Sequence, residues 1–331
     1  DPAVGPDADA TDDFFLRRMR FYIEGSVTEN WSGIWQVDFG KESENPAIKD
    51  AYIQYSGLSA GKIIIGNHNA PFSRELLTSS KRQQLVERTF VGDHNYGTPD
   101  RQMGISIKGG DNFQYQVGVY NAGIDPSTSK LDWESRTSED AEYFGYMVAG
   151  RLDFYPMGKF KKAQGDFARD KFQLGVGVNA YTWSNDDDTY AGADPAIVAP
   201  GEYESVTGYG ADVAVRGAGL SVDAEYNSYS SDTNSDSFSG GLIEDGSGDF
   251  ATYSVEGGFM VVPSKLEIVA GYQGLDADAW DETWTRMSIG ANWFFSKHKD
   301  KIQFEYQMGD DVQGVKDDEE TIIYVQFQHV F

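Results

Sequence analysis

Apolar residues recur at every second position in short runs along nearly the whole chain. From Phe15 the odd positions read Phe15, Arg17, Met19, Phe21, Ile23, Gly25 and Val27, and the even ones Leu16, Arg18, Arg20, Tyr22, Glu24 and Ser26. A period of two predicts a strand with one apolar and one polar face. The rhythm returns in Trp31–Phe39, Ala51–Tyr55, Lys62–Asn67, Met103–Ile107, Phe113–Val119, Phe144–Phe154 and Phe172–Val178. It continues through Val213–Val215, Leu220–Tyr226, Tyr253–Phe259, Leu266–Tyr272, Met287–Phe295, Ile302–Met308 and Ile323–Phe331, which makes 15 strand segments. Short turns such as Leu58–Gly61, Gly109–Asp111 and Gly217–Gly219 alternate with long acidic loops such as Gly123–Asp140, Asn185–Glu204 and Asp232–Gly248. That alternation is expected of a transmembrane antiparallel β-barrel with one end facing outward and the other facing the periplasm. The expected fold class is therefore all-β, a single barrel domain over residues 14–331, with residues 1–13 an outer loop or trimmed N-terminal segment. Since single-chain bacterial barrels have even strand numbers, a complete barrel of 16 is expected, one strand lying outside this count.

One segment breaks the rhythm. Gly66 to Gly92 carries Ser73 as a helix cap, Glu75 in a first turn, and Leu76, Leu77, Leu85 and Val86 as apolar anchors. It is expected to be helical and to fold into the barrel mouth as a constriction loop over residues 69–100. Between Ser73 and Phe90 it holds Arg74, Lys81, Arg82 and Arg88 against Glu75 and Glu87, a cationic stretch in a chain of net charge −26. The lysine-rich stretch Pro156–Asp170 reads as a plain connection between strands.

Composition supports this picture. Gly (37), Tyr (19), Phe (20) and Trp (7) are abundant, Pro (10) is scarce and Cys is absent. No apolar run reaches the roughly 18 residues of a membrane helix, so the chain would cross a bilayer only as a closed sheet. Trp31, Trp35, Trp293, Phe295 and Phe331 suit an aromatic girdle at the lipid interface. The acidity excludes nucleic acid as a partner. The acidic runs near Asp125, Asp186–Asp188, Asp232 and Asp317 offer oxygen ligands for Ca2+ but lack EF-hand spacing, which favours solvated loops. Residues Asp1–Asp13 carry neither the basic nor the apolar region of an export leader, so the sequence is expected to be a mature or trimmed chain.

With Met19 and Phe21 toward lipid, Arg18 and Arg20 face inward, and by the same parity so do Lys108, Arg151, Arg216 and Arg286. That face also carries Glu24, Asp38, Asp50, Asp153, Asp212, Asp223, Glu225, Glu256, Glu267 and Glu305, so acids outnumber bases on the wall. Selectivity belongs to the narrowest point, where Lys81 and Arg82 with Arg18 and Arg20 would form a cationic waist. The competing reading has these arginines pair with wall carboxylates and merely tether the loop.

Phe15-Leu16-Arg17-Arg18 leading into Glu24-Gly25, then Ile65-Gly66-Asn67, Pro71-Phe72, Thr78-Ser79-Ser80-Lys81 and Glu87-Arg88, resemble motifs of the phosphate-selective porins O and P. The resemblance implies a 16-stranded homotrimeric porin of the Gram-negative outer membrane, embedded among lipid and lipopolysaccharide. It also implies an inward third loop with basic residues that draw small anions, and Arg17, Arg18 and Lys81 match the family's positions. Asn67 and Asn69 depart from it, since basic residues are common there. The expected function is passive diffusion of small anions, phosphate or other oxyanions among them, with Arg17, Arg18, Arg20, Arg74, Lys81, Arg82 and Arg88 as pore residues and no cofactor. A general or weakly cation-selective porin and a non-channel barrel, sheath or adhesin, are the alternatives. No nucleophile elbow, metal motif or phosphate-cradling loop points to an enzyme.

Overall fold

The computed structural model describes residues 14–40, 46–125, 130–134, 144–169, 171–185 and 202–331. Residues 1–13, the triple aspartate Asp186–Asp188 and much of the acidic loop after Asp125 lie outside the described residues. The strands are β1 (Arg20–Ser26), β2 (Trp31–Asp38), β3 (Ala47–Leu58), β4 (Gly61–Asn69), β5 (Arg101–Gly110), β6 (Phe113–Ile124), β7 (Trp133–Glu134) and β8 (Phe144–Phe154). They continue as β9 (Gln173–Ser184), β10 (Tyr203–Gly217), β11 (Leu220–Thr233), β12 (Ser247–Val262), β13 (Leu266–Ala277), β14 (Trp284–Phe294), β15 (Asp300–Asp310) and β16 (Glu319–His329).

All belong to one antiparallel sheet in sequence order, with the two-residue β7 pairing only with β6. Fifteen strands thus follow one another as neighbours, as the alternation predicts. Tight connections such as Gly217–Ala218–Gly219 hold the register; Gly219 sits at φ 91° and Ala218 at φ 55°. Gly66 in β4, at φ 127°, lies so close to the β3 backbone that a Cβ would strike Ala51 O. Among the described residues no pairing joins β1 to β16, so both edges of the sheet are bare.

The two faces differ as the period of two requires. Ile105, Val119, Val148, Val178, Val255, Ile289, Phe304 and Val325 point away from the protein and are exposed, and so are the girdle candidates Trp31, Trp35, Trp293, Phe295 and Phe331. The polar face is covered: Asp153, Asp212, Asp223, Glu225, Glu256, Glu267 and Glu305 are buried beside Arg151 and Arg216. An inverted arrangement of this kind, apolar outside and charged inside, is stable only where hydrocarbon replaces water on the outer side. Inside the sheet, Phe72, Phe90, Tyr96, Trp133, Tyr181, Trp183, Tyr229 and Trp284 form an aromatic cluster.

The residues expected to be helical are only briefly so. One helix, α1 (Arg74–Leu77), is followed by single 3-10 turns at Ser80–Arg82 and Phe90–Gly92, and Leu85 and Val86 sit in irregular chain. Ser73 caps α1 as expected, its Oγ accepting from Leu76 N at 3.1 Å. Helix α1 ends at Thr78, whose N–H donates to Arg74 O and Glu75 O, before the chain turns again at Ser80–Arg82. Strand β1 also begins later than its alternation suggests, at Arg20 rather than Phe15.

The exposed face predicts a measurable liability. Val255→Arg, near the middle of β12, should cost about 2–4 kcal/mol in urea unfolding from lipid vesicles, the depth-dependent penalty for a charge facing hydrocarbon. Equal stability of the variant would mean that this face does not meet lipid.

Candidate functional site

Segment 70–100, between β4 and β5, lies against the polar face of the sheet and takes its shape from carboxylates there. Glu225 on β11 accepts from Glu75 N at 3.0 Å, and Glu305 on β15 accepts from Val86 N at 2.7 Å. Glu267 on β13 accepts from Gln84 Nε2 at 2.7 Å, and Gln273 Oε1 accepts from Phe90 N at 2.8 Å. The segment's carbonyls are met in return: Lys301 Nζ donates to Gln83 O (2.9 Å), Asn292 Nδ2 to Gln84 O (2.9 Å) and Gln328 Nε2 to Lys81 O (3.1 Å). Irregular backbone surrounded by protein stays satisfied in this way.

The seven basic residues expected at a pore separate into different roles. Arg74 is buried, with Nε 2.8 Å from Asp223 and Nη1 4.0 Å from Asp212, and its guanidinium stacks 5.5 Å from the Phe160 ring. Arg88 donates to Leu76 O and Thr78 O, both at 3.2 Å, and so ties the loop to itself. Arg17 is ion-paired with Glu87, and Arg20 with Asp38 at 2.6 Å. Arg18 lies just before β1, partly exposed. Lys81 and Arg82 differ: each is partly exposed, and among the described residues neither has an ion pair with a carboxylate. Lys81 Nζ lies 6.0 Å from the Tyr22 ring centroid. Partial burial pushes the Lys81 ammonium below its ordinary range, with the neighbouring charges of Arg82 and Arg20 adding to the shift. Three cations are therefore crowded at one place.

The uncovered part of the polar face adjoins this group. Whereas the face is buried along β8–β15, Arg20, Gln36, Tyr52, Gln54, Lys108, Gln114 and Gln116 on β1–β6 stay partly exposed. Asn67, where the resemblance would place a base, is buried and donates to Lys49 O at 2.6 Å. Two residues were missed among the strand-parity bases: Lys301, inward because Ile302 and Phe304 point outward, and Arg101, which pairs with Asp50 at 3.1 Å and Asp100 at 3.0 Å. Parity alone would have marked Lys301. Nothing short of the fold marks the glutamines Gln83 and Gln84, whose backbone and amides fix the loop. Among the described residues no group of three or more His, Asp or Glu side chains is placed to hold a metal ion.

Within the loop, Glu75 is buried and accepts from Thr89 N at 2.9 Å and from Thr89 Oγ1. Burial pushes its carboxyl above the ordinary carboxylate range; the Thr89 hydrogen bonds and Arg88 oppose this, and Glu225 reinforces it. The folded state keeps this proton where the unfolded chain would lose it, so its contribution is full at acid pH and falls as pH rises past the ordinary carboxylate range. Thermal stability should therefore decline between about pH 4.5 and about pH 8, and Glu75→Gln should lessen that decline. A scan of melting temperature against pH checks this; parallel profiles would remove Glu75 from the effect.

Comparison with known proteins agrees with this architecture. The family model described as "Phosphate-selective porin O and P" matches residues 2–331. An uncharacterised protein of Aquifex aeolicus (strain VF5) is 24% identical over 363 residues, covering 96% of this chain and 81% of that protein. The anion-selective porin from Comamonas acidovorans superposes with a TM-score of 0.58 at 9% identity, covering 96% of this chain and 90% of that one. The trimer form of OmpT, an outer membrane protein of Vibrio cholerae, gives 0.54 at 15% identity, covering 98% and 90%.

Proposed function

Because the chain belongs to the phosphate-selective porin O and P family, we propose that this outer-membrane porin passes small anions by diffusion, through a waist whose sign is set by Lys81 and Arg82. The observation that carries the proposal is that these two cations, crowded against Arg20, have no carboxylate partner among the described residues and adjoin the uncovered strip of the polar face. Segment 70–100 acts as the constriction loop. It fills the half of the barrel along β8–β15, and the passage runs beside β1–β6. An ion at the waist meets unneutralised cations at short range, while Asp38 and Asp50 on the adjoining wall are paired with Arg20 and Arg101. In water one charge at 4 Å is worth about 1 kcal/mol, enough to bias which ion enters.

The barrel in the membrane has 16 strands in this proposal. β1 and β16 both run away from the outer loops, so a single strand in the opposite direction pairs with both edges. Hydrocarbon would not tolerate those edges bare. The trimer form of the Vibrio cholerae outer membrane protein supports a homotrimer, which in this proposal sits among outer-membrane lipid and lipopolysaccharide. A weakly cation-selective channel is the second reading, favoured by the net charge of −26. Phosphate and other oxyanions remain the expected class of cargo; the buried Asn67 supplies no cation for them.

Planar-bilayer recording in a salt gradient tests this. The wild-type reversal potential should have the anion-selective sign. The double variant Lys81→Gln, Arg82→Gln should lower the anion-to-cation permeability ratio about fivefold, the factor that about 1 kcal/mol sets. The difference should shrink in 1 M salt, where the Debye length is about 3 Å. An unchanged reversal potential removes both residues from selectivity, and a cation-selective wild type supports the second reading.

A further inference from the structure

The lysine-rich connection between β8 and β9 does not hang free as a turn. It is fastened along the polar face from the opposite end to the constriction loop. Arg216 donates to Ala163 O at 2.8 Å, Gly165 N to Ser221 Oγ at 2.9 Å, and Gly219 N to Asp166 Oδ2 at 2.8 Å. Phe167 packs edge-on against Phe294, with ring centroids 4.8 Å apart, and against His298 at 5.0 Å.

At its centre stands Gln164, only 1% exposed. Its Oε1 accepts from Gln84 N at 2.6 Å and its Nε2 donates to Glu256 at 2.6 Å. Its backbone N–H donates to Arg82 O at 2.9 Å, and its carbonyl meets His298 Nε2 at 2.8 Å. One residue therefore uses all four of its hydrogen-bonding groups to join the constriction loop, the wall at β12 and the turn after β14. The loop residues it holds are Arg82, which has no ion pair with a carboxylate among the described residues, and Gln84, which also reaches Glu267. An apolar side chain here would leave the Gln84 amide and the Glu256 carboxylate buried without this partner, a cost that favours withdrawal of the loop.

We propose that Gln164 is a positioning residue that clamps the Arg82–Gln84 stretch to the barrel wall, so that the β8–β9 connection sets where Lys81 and Arg82 stand. The second half of this statement rests on the reading of those two residues as the selective waist. The clamp itself does not.

The chain contains no cysteine, so a single thiol reports loop opening cleanly. Val86→Cys places it on a buried loop position. Its modification by a membrane-impermeant methanethiosulfonate is followed in the refolded full chain, with and without Gln164→Met, circular dichroism confirming the same strand content. The modification rate should rise about tenfold with Gln164→Met, the change that losing one buried hydrogen bond sets in an opening equilibrium. An unchanged rate overturns the clamp. Should Gln164→Met not fold, Gln164→Asn, one methylene shorter and still polar, serves the same comparison. In bilayers Gln164→Met should lower anion selectivity in the direction of Lys81→Gln, Arg82→Gln. A faster thiol reaction with unchanged selectivity, while the double variant does shift it, would overturn the positioning role and leave a loop tether. A wild type without anion selectivity would defeat the waist, and the thiol rates would still judge the clamp.

Discussion

Carboxylates on the covered face of the sheet must find donors, and the rest of the molecule is arranged around that need. Glu225, Glu267 and Glu305 are shielded from solvent, where an unpaired carboxylate costs several kcal/mol. The donors come from the segment after β4: Glu75 N, Gln84 Nε2 and Val86 N each meet one of the three. Carboxylates on three different strands hold the segment at Glu75, Gln84 and Val86 along an irregular path. Strand chemistry thus dictates loop conformation, and the loop in turn makes it possible for the strands to carry acids inside.

The same exchange changes the meaning of the net charge. A chain of −26 looks hostile to anions, yet Asp212 and Asp223 are bound up with Arg74, Arg151 and Arg216. An arginine fork meets a carboxylate well and remains charged under burial, which suits it to this tethering. What governs an ion at close range is the charge left unneutralised nearby, and around the Ser80–Arg82 turn that charge is positive. Most of the candidate arginines hold the structure in place; Lys81 and Arg82 stand apart from them.

Two segments enter from opposite ends and meet. Segment 70–100 and the β8–β9 connection meet at Gln164, and the aromatic cluster around Phe72, Phe90 and Tyr229 fills the space beside them. Tyr229 OH joins Thr98 Oγ1 at 2.8 Å, and Trp133 Nε1 and Tyr181 OH both donate to Gly97 O. Such packing covers the polar face along β8–β15 and leaves it partly exposed along β1–β6.

The alternation of apolar and polar positions determined the 15 consecutive strands, their antiparallel order and which side chains face out, because a strand's two faces are fixed by a local period of two. Parity also marked Arg151, Asp212 and Glu305 as inward, and helix-start chemistry marked Ser73 as a cap. The division of Arg17, Arg20 and Arg74 into ion-paired tethers, of Arg88 into a donor to loop carbonyls, and of Lys81 and Arg82 into cations without a carboxylate partner among the described residues was decided only by tertiary structure. So were the broken helix after Leu77, the burial of Asn67 and the clamp at Gln164. Each depends on which atoms from distant strands arrive within about 3 Å, and a hydrogen bond spanning 80 residues, such as Gln84 to Gln164, leaves no local period to read.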